Sequence, residues 1–362
     1  MLQRLYVHNY RCLQNFEIKA GEEASLLFVG KNGVGKSTIA SVLSIFNKLG
    51  SGQSNVDALL TAEDFTLGRI NEQMHFEIDV LLDGNTYNYR ISFDMPNNSK
   101  LRVIKEDLFI NAKAVFERTE TQIVYNVGGK ISEFPLDVNS VAFTLLINTS
   151  SIDAPWLLRA WFATMLILKP IPQLMRGDSD TESVFIESSC KNFAPFLLNL
   201  LNSLPASYST IEKFLKKLMP DFVKFSNPGI TSTRILMISF GDGTLSYQTS
   251  FSNLSDGEKC IFLAAVVLAV QEAYHHPFVF WDEPDNYLSI SEVQDFIRTL
   301  RTGKGQIWMA SHNSETINCF SHDNTLLLHR KNHLAPVELH FVSERISSKE
   351  STIQKLRLDE LG

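Results

Sequence analysis

The sequence predicts an α/β fold that is interrupted by an antiparallel β region and by a helical insertion. First, apolar runs of strand length alternate with apolar residues at helical spacing near both ends of the chain. Second, apolar and polar residues alternate over about residues 75–126, with a hairpin turn at Asp83-Gly84-Asn85. Third, helical spacing returns over about residues 156–220, beginning with Trp161, Phe162, Met165 and Leu166.

We expect these parts to form one composite domain with three segments. Residues 1–150 make an N-terminal lobe with the β region, residues 151–230 the helical insertion, and residues 231–362 the C-terminal lobe. The most polar break, residues 174–183, predicts an exposed loop. We expect a partner or nucleic acid to dock there, because recognition usually lies on loops of a rigid scaffold.

Composition and charge exclude several classes of protein. The 362 residues are 44% hydrophobic and 20% charged, and the net charge of −7 argues against a strongly basic nucleic-acid binder. The four cysteines form no CxxC pair, which argues against a zinc site or a disulfide framework and fits a reducing compartment. The N-terminus lacks the apolar core of a signal peptide, and no run reaches the ~18 apolar residues of a membrane span. We therefore expect a cytoplasmic protein with no membrane partner.

A glycine-rich segment follows the buried strand pattern of Ser25–Val29 and precedes an amphipathic helical pattern over residues 37–49. It satisfies GxxxxGK[ST], in which glycines let backbone N–H groups converge on phosphates. The lysine then binds the β- and γ-phosphates, and the serine hydroxyl binds Mg²⁺. A plain turn between strand and helix is the alternative, which both flanks disfavour. The predicted ligands are ATP and Mg²⁺, and the binding residues are Gly30, Lys31, Asn32, Gly33, Val34, Gly35, Lys36, Ser37 and Thr38.

Two later strand patterns end in residues suited to hydrolysis. The apolar run over residues 278–281 ends in Asp282 and Glu283. We expect Asp282 to bind Mg²⁺ and Glu283 to orient or deprotonate the attacking water. His312 follows the next apolar run, and we expect it to contact the γ-phosphate and sense hydrolysis. A plain turn and an ordinary polar histidine are the bland alternatives, which the preceding phosphate loop makes less favourable.

One segment upstream of that strand supports two interpretations. Ser255 and Glu258 have the spacing of a capping box, which starts many helices for stability alone. The alternative is a helix N-terminus aimed at the γ-phosphate of a nucleotide held by another subunit. Leu254 and Gly257 favour this second interpretation, for which the binding residues are Ser255, Asp256, Gly257 and Glu258.

Taken in this order, the motifs resemble those of the ABC ATPase superfamily, whose head has a P-loop NTPase fold. Asn9-Tyr10-Arg11 resembles the element that opens its RecF, SMC and OLD branch, and this resemblance implies that Arg11 belongs to the nucleotide site. It also implies a homodimer or higher homo-oligomer that closes around ATP. Several middle stretches resemble stand-alone ATPases of bacterial defence loci: Val115-Phe116-Glu117-Arg118, Trp161-Phe162, Asn192-Phe193-Ala194 and Met219-Pro220-Asp221.

The sequence also departs from this branch. No glutamine of a Q-loop is identified, and the expected neighbourhood, residues 148–151, contains none. About fifty residues follow His312, which we expect to be too few for an OLD-type nuclease domain. There is no long heptad pattern for an SMC-type arm.

Three functions remain open at this stage. The first is an ATP-gated sensor or regulator of a separate effector, a nuclease or toxin, in anti-phage defence. The second is a RecF-like repair ATPase that clamps DNA directly, which keeps nucleic acid open as a partner. The third and least favoured is the ATP-binding subunit of a transporter.

Overall fold

The computed structural model describes residues 1–96, 100–127, 129–146, 154–227, 229–230 and 233–345. The chain divides into two compact units. The first unit comprises Met1–Met165 together with the segment that begins at Ser321, and the second unit is Leu166–Phe320. The three-segment organisation with boundaries at residues 150 and 230 stays a prediction.

The strands are numbered in chain order. They are β1 (Leu2–His8), β2 (Phe16–Lys19), β3 (Ser25–Val29), β4 (Met74–Leu82), β5 (Asn85–Asp94), β6 (Arg102–Ile110), β7 (Lys113–Thr119), β8 (Gln122–Val127), β9 (Lys130–Pro135), β10 (Leu166–Leu168), β11 (Asp178–Ser179), β12 (Phe222–Ser226), β13 (Gly229–Ile230), β14 (Thr233–Ile235), β15 (Met237–Gly241), β16 (Ser246–Ser250), β17 (Phe278–Asp282), β18 (Gln306–Ala310), β19 (Thr325–His329) and β20 (Glu338–Phe341). The helices are α1 (Lys36–Gly50), α2 (Ala142–Leu146), α3 (Ala154–Ala163), α4 (Phe193–Ser203), α5 (Ser207–Leu218), α6 (Asp256–Ala273), α7 (Ile290–Arg301), α8 (Ser314–Ile317) and α9 (Val342–Arg345).

An antiparallel sheet of eight strands dominates the first unit, in the order β2-β1-β4-β5-β6-β7-β8-β9. Its β4–β5 hairpin confirms the predicted turn: Leu82 pairs with Asn85, and the two residues between them, Asp83 and Gly84, have φ values of 48° and 77°. An Asp-Gly pair tolerates these left-handed conformations, and such turns match the twist of the flanking strands. Every second residue of β4 is buried, as the alternation predicts.

A second layer of the first unit carries the glycine-rich segment. Strand β3 is fully buried and pairs in parallel with β19, which pairs antiparallel with β20. Helix α1 follows and packs on α3, where the rings of Phe46 and Phe162 lie 5.3 Å apart. A Cβ at Gly50 would lie 2.3 Å from the backbone nitrogen of Ala163, so only glycine permits this approach. The α1–α3 contact therefore anchors the C-terminal end of α1.

The second unit contains three parallel strands in the order β10-β17-β18. Helix α6 is buried from Lys259 to Gln271 without an exposed stripe. Two small antiparallel sheets, β12-β15-β16 and β11-β14-β13, complete the unit. None of the helices in the described ranges is both long enough and apolar enough to cross a bilayer.

Strand β10 corrects one prediction. Helical spacing from Trp161 predicts that Leu166 continues a helix, but α3 ends at Ala163 and Leu166–Leu168 forms a strand beside β17. A parallel strand that is buried on both faces has a continuous apolar run, which periodicity does not distinguish from part of a buried helix.

Candidate nucleotide-binding site

The glycine-rich segment between β3 and α1 has a backbone that only glycine accommodates well. The φ values of Gly30, Gly33 and Gly35 are 151°, 81° and 111°. A Cβ at Gly30 would lie 2.4 Å from the carbonyl oxygen of Leu328, and a Cβ at Gly35 would lie 2.9 Å from Sγ of Cys12. The loop is thus held close to neighbouring backbone and side chains, while Lys31, Asn32 and Gly33 stay exposed.

The start of α1 has the features of an anion-binding site. Gly35 is the N-cap, so no side chain caps the helix, and its first turn contains no acidic residue. The side chain of Lys36 is buried and folds back on the loop, where Nζ donates hydrogen bonds to the carbonyl oxygens of Gly30 at 2.7 Å and Lys31 at 3.2 Å. Ser37 is exposed at the first turn. A glycine cradle, a helix N-terminus without a side-chain cap and a loop-bound lysine together fit a polyphosphate.

Arg11 lies beside the same helix. Its φ value is 50°, and its backbone nitrogen and Nε donate to the backbone and side chain of Asp64, at 2.6 and 2.9 Å. Its Nη1 donates to Oγ of Ser41 at 3.0 Å, one helical turn beyond Ser37. The half-exposed guanidinium therefore borders the exposed side of the α1 N-terminal half.

In the second unit, three of the predicted residues converge where β17 and β18 end. Asp282 is the buried last residue of β17. Glu283 follows with a φ value of 55°, and its N–H donates to the carbonyl oxygen of Ala310 at 2.8 Å. Its Oε1 lies 3.4 Å from Nδ1 of His312, and its Oε2 accepts a hydrogen bond from Asn286. The structure therefore pairs Glu283 with His312, one residue after Asp282.

Sequence reasoning missed a further carboxylate, two residues after Glu283. Asp285 is buried, and its Oδ2 accepts hydrogen bonds from Oγ of Ser311, at 2.6 Å, and from Oγ1 of Thr316. Ser311 Oγ in turn accepts from the N–H of Asn313 at 3.0 Å. We call residues 311–316 the switch segment, because it contains His312, the residue that we expect to sense hydrolysis. Asp285 fixes this segment to the turn that carries Glu283.

The N-terminus of α6 contains the capping box that the sequence predicts. Glu258 Oε2 accepts from the backbone nitrogen of Ser255 at 2.7 Å, and Ser255 Oγ accepts from the N–H of Glu258 at 3.3 Å. Gly257 packs against the turn that follows β17, where an added Cβ would lie 2.8 Å from the carbonyl oxygen of Tyr287. The structural interpretation of this motif is therefore satisfied, and its contact with a nucleotide stays a prediction.

Sequence reasoning also missed Lys169, which follows β10 directly. Its Nζ lies 3.1 Å from Oδ2 of Asp282. The same connection reaches the start of α6, where Gln173 donates to Asp256 and the buried Lys259 donates to the carbonyl oxygen of Pro172. The sequence signal that could have indicated this strand end is the short apolar run Leu166–Leu168, which is followed by Lys169 and Pro170. Residues 148–151, the expected Q-loop neighbourhood, lie outside the described residues.

The fold is that of a P-loop ATPase head with an antiparallel sheet and added helices, as the sequence predicts, and it resembles the heads of SMC proteins. An SMC head bound to the C-terminal winged-helix domain of ScpA is similar, with a TM-score of 0.59, 14% identity and coverage of 95% of this chain and 99% of that one. An SMC head with an extended coiled coil, bound to the C-terminal domain of ScpA derived from Pyrococcus furiosus, has a TM-score of 0.58 and 12% identity, and covers 100% of this chain and 99% of that one. The TM-scores over nearly the full length of each chain establish a shared fold.

The family follows from the sequence itself. The AAA_15 family, described as an AAA ATPase domain, matches residues 1–220, and the chain belongs to this family. No curated protein matches the chain in sequence.

Proposed function

We propose that the chain binds ATP with Mg²⁺ and hydrolyses it slowly. The observation that carries this proposal is the cradle of Gly30, Gly33 and Gly35 at the N-terminus of α1, which no side chain caps, with Lys36 bound to the loop. Membership of the AAA ATPase domain family supports it.

The proposed roles follow from the chemistry of each side chain. The N–H groups of residues 30–38 bind the phosphates, and Lys36 leaves its carbonyl partners to compensate their charge. The Ser37 hydroxyl in the first unit and the Asp282 carboxylate in the second unit each offer an oxygen of the kind that Mg²⁺ prefers. When bound, Mg²⁺ neutralises charge that develops on the phosphates. Glu283 orients water and accepts its proton, and His312 holds the Glu283 carboxylate at 3.4 Å and contacts the γ-phosphate.

Calorimetry with ATP and Mg²⁺ tests nucleotide binding. Lys36→Ala should abolish detectable binding, because it removes the cation that balances the phosphate charge. Lys48→Ala is the matched control, since Lys48 is exposed in the last turn of the same helix. Equal ATP affinity of Lys36→Ala and the wild type would contradict the proposal.

We further propose that two copies close around ATP, with Ser255, Gly257 and Glu258 facing the nucleotide of the other copy. The exposed position of Ser255 at a helix N-terminus supports this role. Light scattering should show ATP-dependent dimers for the wild type and none for Ser255→Arg, which adds bulk and charge. Ser255→Ala separates loss of the serine hydroxyl, which removes the cap at about 1 kcal/mol, from the added bulk and charge of arginine. An assembly state that is independent of ATP, with full ATPase activity of Ser255→Arg, would refute the composite site.

The biological role that we propose is regulation of a separate effector, a nuclease or toxin, in bacterial anti-phage defence. It rests on the resemblance of the middle stretches to defence-associated ATPases. The alternative is a RecF-like clamp on DNA, which requires a basic face. Two cations of the basic clusters bind within their own chain: Lys216 pairs with Glu212 at 2.8 Å, and Arg330 donates to the carbonyl oxygens of His333 and Ala335. These contacts favour the effector role. ATP-dependent DNA affinity that falls steeply with salt would favour the clamp instead.

A further inference from the structure

Lys169 places an ammonium group at the carboxylate that we propose as a metal ligand. Its Nζ lies 3.1 Å from Oδ2 of Asp282, whose side chain is only 2% exposed. The lysine side chain is 59% exposed, so its stem reaches from the surface to a buried acid. A buried carboxylate requires a compensating positive charge, because its charge is poorly solvated there.

The fold fixes the backbone from which this side chain extends. Strand β10 runs parallel to β17 with Leu168 opposite Trp281, so the next residues along the two strands, Lys169 and Asp282, are also neighbours. The N–H of Lys169 donates to the carbonyl oxygen of Ser188 at 2.7 Å, and Pro170 follows with a restricted φ. The ammonium position thus follows from strand register and a stiff connection.

We propose that Lys169 competes with the divalent cation for Asp282. Mg²⁺ and an ammonium group both take up the negative charge of a carboxylate, and the ammonium group lies within ion-pair distance of Oδ2. Asp282 would hold the metal only when its ion pair with Lys169 is broken, so Lys169 would raise the Mg²⁺ concentration that nucleotide binding requires. This inference rests on the proposed ATP-binding function and assigns to Lys169 the control of its metal dependence.

The substitution that isolates this charge is Lys169→Met, which keeps an unbranched apolar stem. It should lower the Mg²⁺ concentration for half-maximal binding of a fluorescent ATP analogue by about two- to fivefold, the range expected for losing a partly exposed ion pair. Lys169→Arg keeps the charge and should stay near the wild-type midpoint. Lys191→Met is a matched surface control, because Lys191 is 58% exposed and pairs with Glu187 at 3.0 Å in the same unit.

A second readout needs no nucleotide. Mn²⁺ is titrated into the nucleotide-free protein, and its binding is measured as the loss of the electron paramagnetic resonance signal of the free ion. The Lys169→Met variant should bind Mn²⁺ more tightly than the wild type. Adding Asp282→Asn to either protein should weaken Mn²⁺ binding. An unchanged or higher metal midpoint for Lys169→Met, in either assay, would overturn the inference. Failure of the proposed function has a different signature, since the wild type would then bind no ATP analogue, while the Mn²⁺ titration would still decide the role of Lys169.

Discussion

Replacing Asp285 with alanine should loosen the contact between the Glu283 turn and the switch segment. The carboxylate accepts hydrogen bonds from Ser311 and Thr316, and all three side chains are buried. A buried polar group that loses its partner costs about 1–3 kcal/mol, so two hydroxyls together predict a loss of about 2–6 kcal/mol in the free energy of unfolding. Asp285→Asn keeps one acceptor oxygen and should therefore lower the free energy of unfolding by less than Asp285→Ala does.

The same substitution should reduce catalysis, because Ser311 precedes His312 and Asp285 lies two residues after Glu283. If Glu283 and His312 are misplaced, we expect kcat to fall by about ten- to hundredfold. The ATP affinity should stay close to that of the wild type, because the glycine-rich loop is unchanged. Affinity measured by calorimetry and kcat measured by phosphate release separate the two effects.

Urea unfolding and a double-mutant cycle test the energetic argument. Thr316→Val removes one donor while it preserves side-chain shape, so its combination with Asp285→Ala should cost less than the sum of the two single changes. Additive costs, or an Asp285→Ala variant within about 0.5 kcal/mol of wild type, would refute the reasoning, since that range is typical of surface substitutions.

Two further variants test other parts of the molecule. Glu283→Gln should keep ATP bound while phosphate release falls by about a hundredfold or more, because the amide cannot accept a proton from water; an unchanged rate would make Glu283 a turn residue only. In the β4 strand, hydrogen bonds from His75, at 2.8 Å, and Arg4 hold the pKa of Glu77 at about 2. Because the pKa of Glu77 is lower in the folded state, its carboxylate stabilises the fold fully at pH values above its ordinary pKa of 4.5. This stabilisation is lost as the pH falls toward 2. Glu77→Gln should therefore lower the free energy of unfolding, measured with urea, by about 1–2 kcal/mol at pH 7 and by less at pH 3. An equal loss at both pH values would contradict this explanation.

The sequence predicts best those elements whose signal is local. The strand before the glycine-rich loop is observed at its predicted bounds, Ser25–Val29, and the helix predicted over residues 37–49 is observed as Lys36–Gly50. The β region was predicted to end near residue 126, but its last strand, Lys130–Pro135, forms a further hairpin. That strand is largely exposed and buries no regular face, so it leaves no alternating pattern to detect.

The parts of the site that the sequence does not reveal depend on partners far along the chain. Asp285 meets Ser311 and Thr316 across 26 and 31 residues. Lys169 meets Asp282 only because a three-residue strand pairs with β17 in a particular register. Neither contact belongs to a contiguous motif, and each becomes visible only when the ends of neighbouring parallel strands are placed side by side.

The α6 motif shows why a correct geometric expectation does not by itself decide function. The sequence argument used Gly257 to favour a nucleotide contact over a simple capping box. The close approach of Tyr287 already requires glycine at that position for packing. A similar reciprocal Ser-x-x-Glu box starts α7, with Ser289 and Glu292, so this pattern recurs within one chain. Both capping serines are exposed, and what distinguishes α6 is that the helix behind Ser255 is buried continuously from Lys259 to Gln271, whereas α7 buries only one face. The pair Ser255→Ala and Ser255→Arg is therefore decisive, because both lose the cap but only the second obstructs that surface.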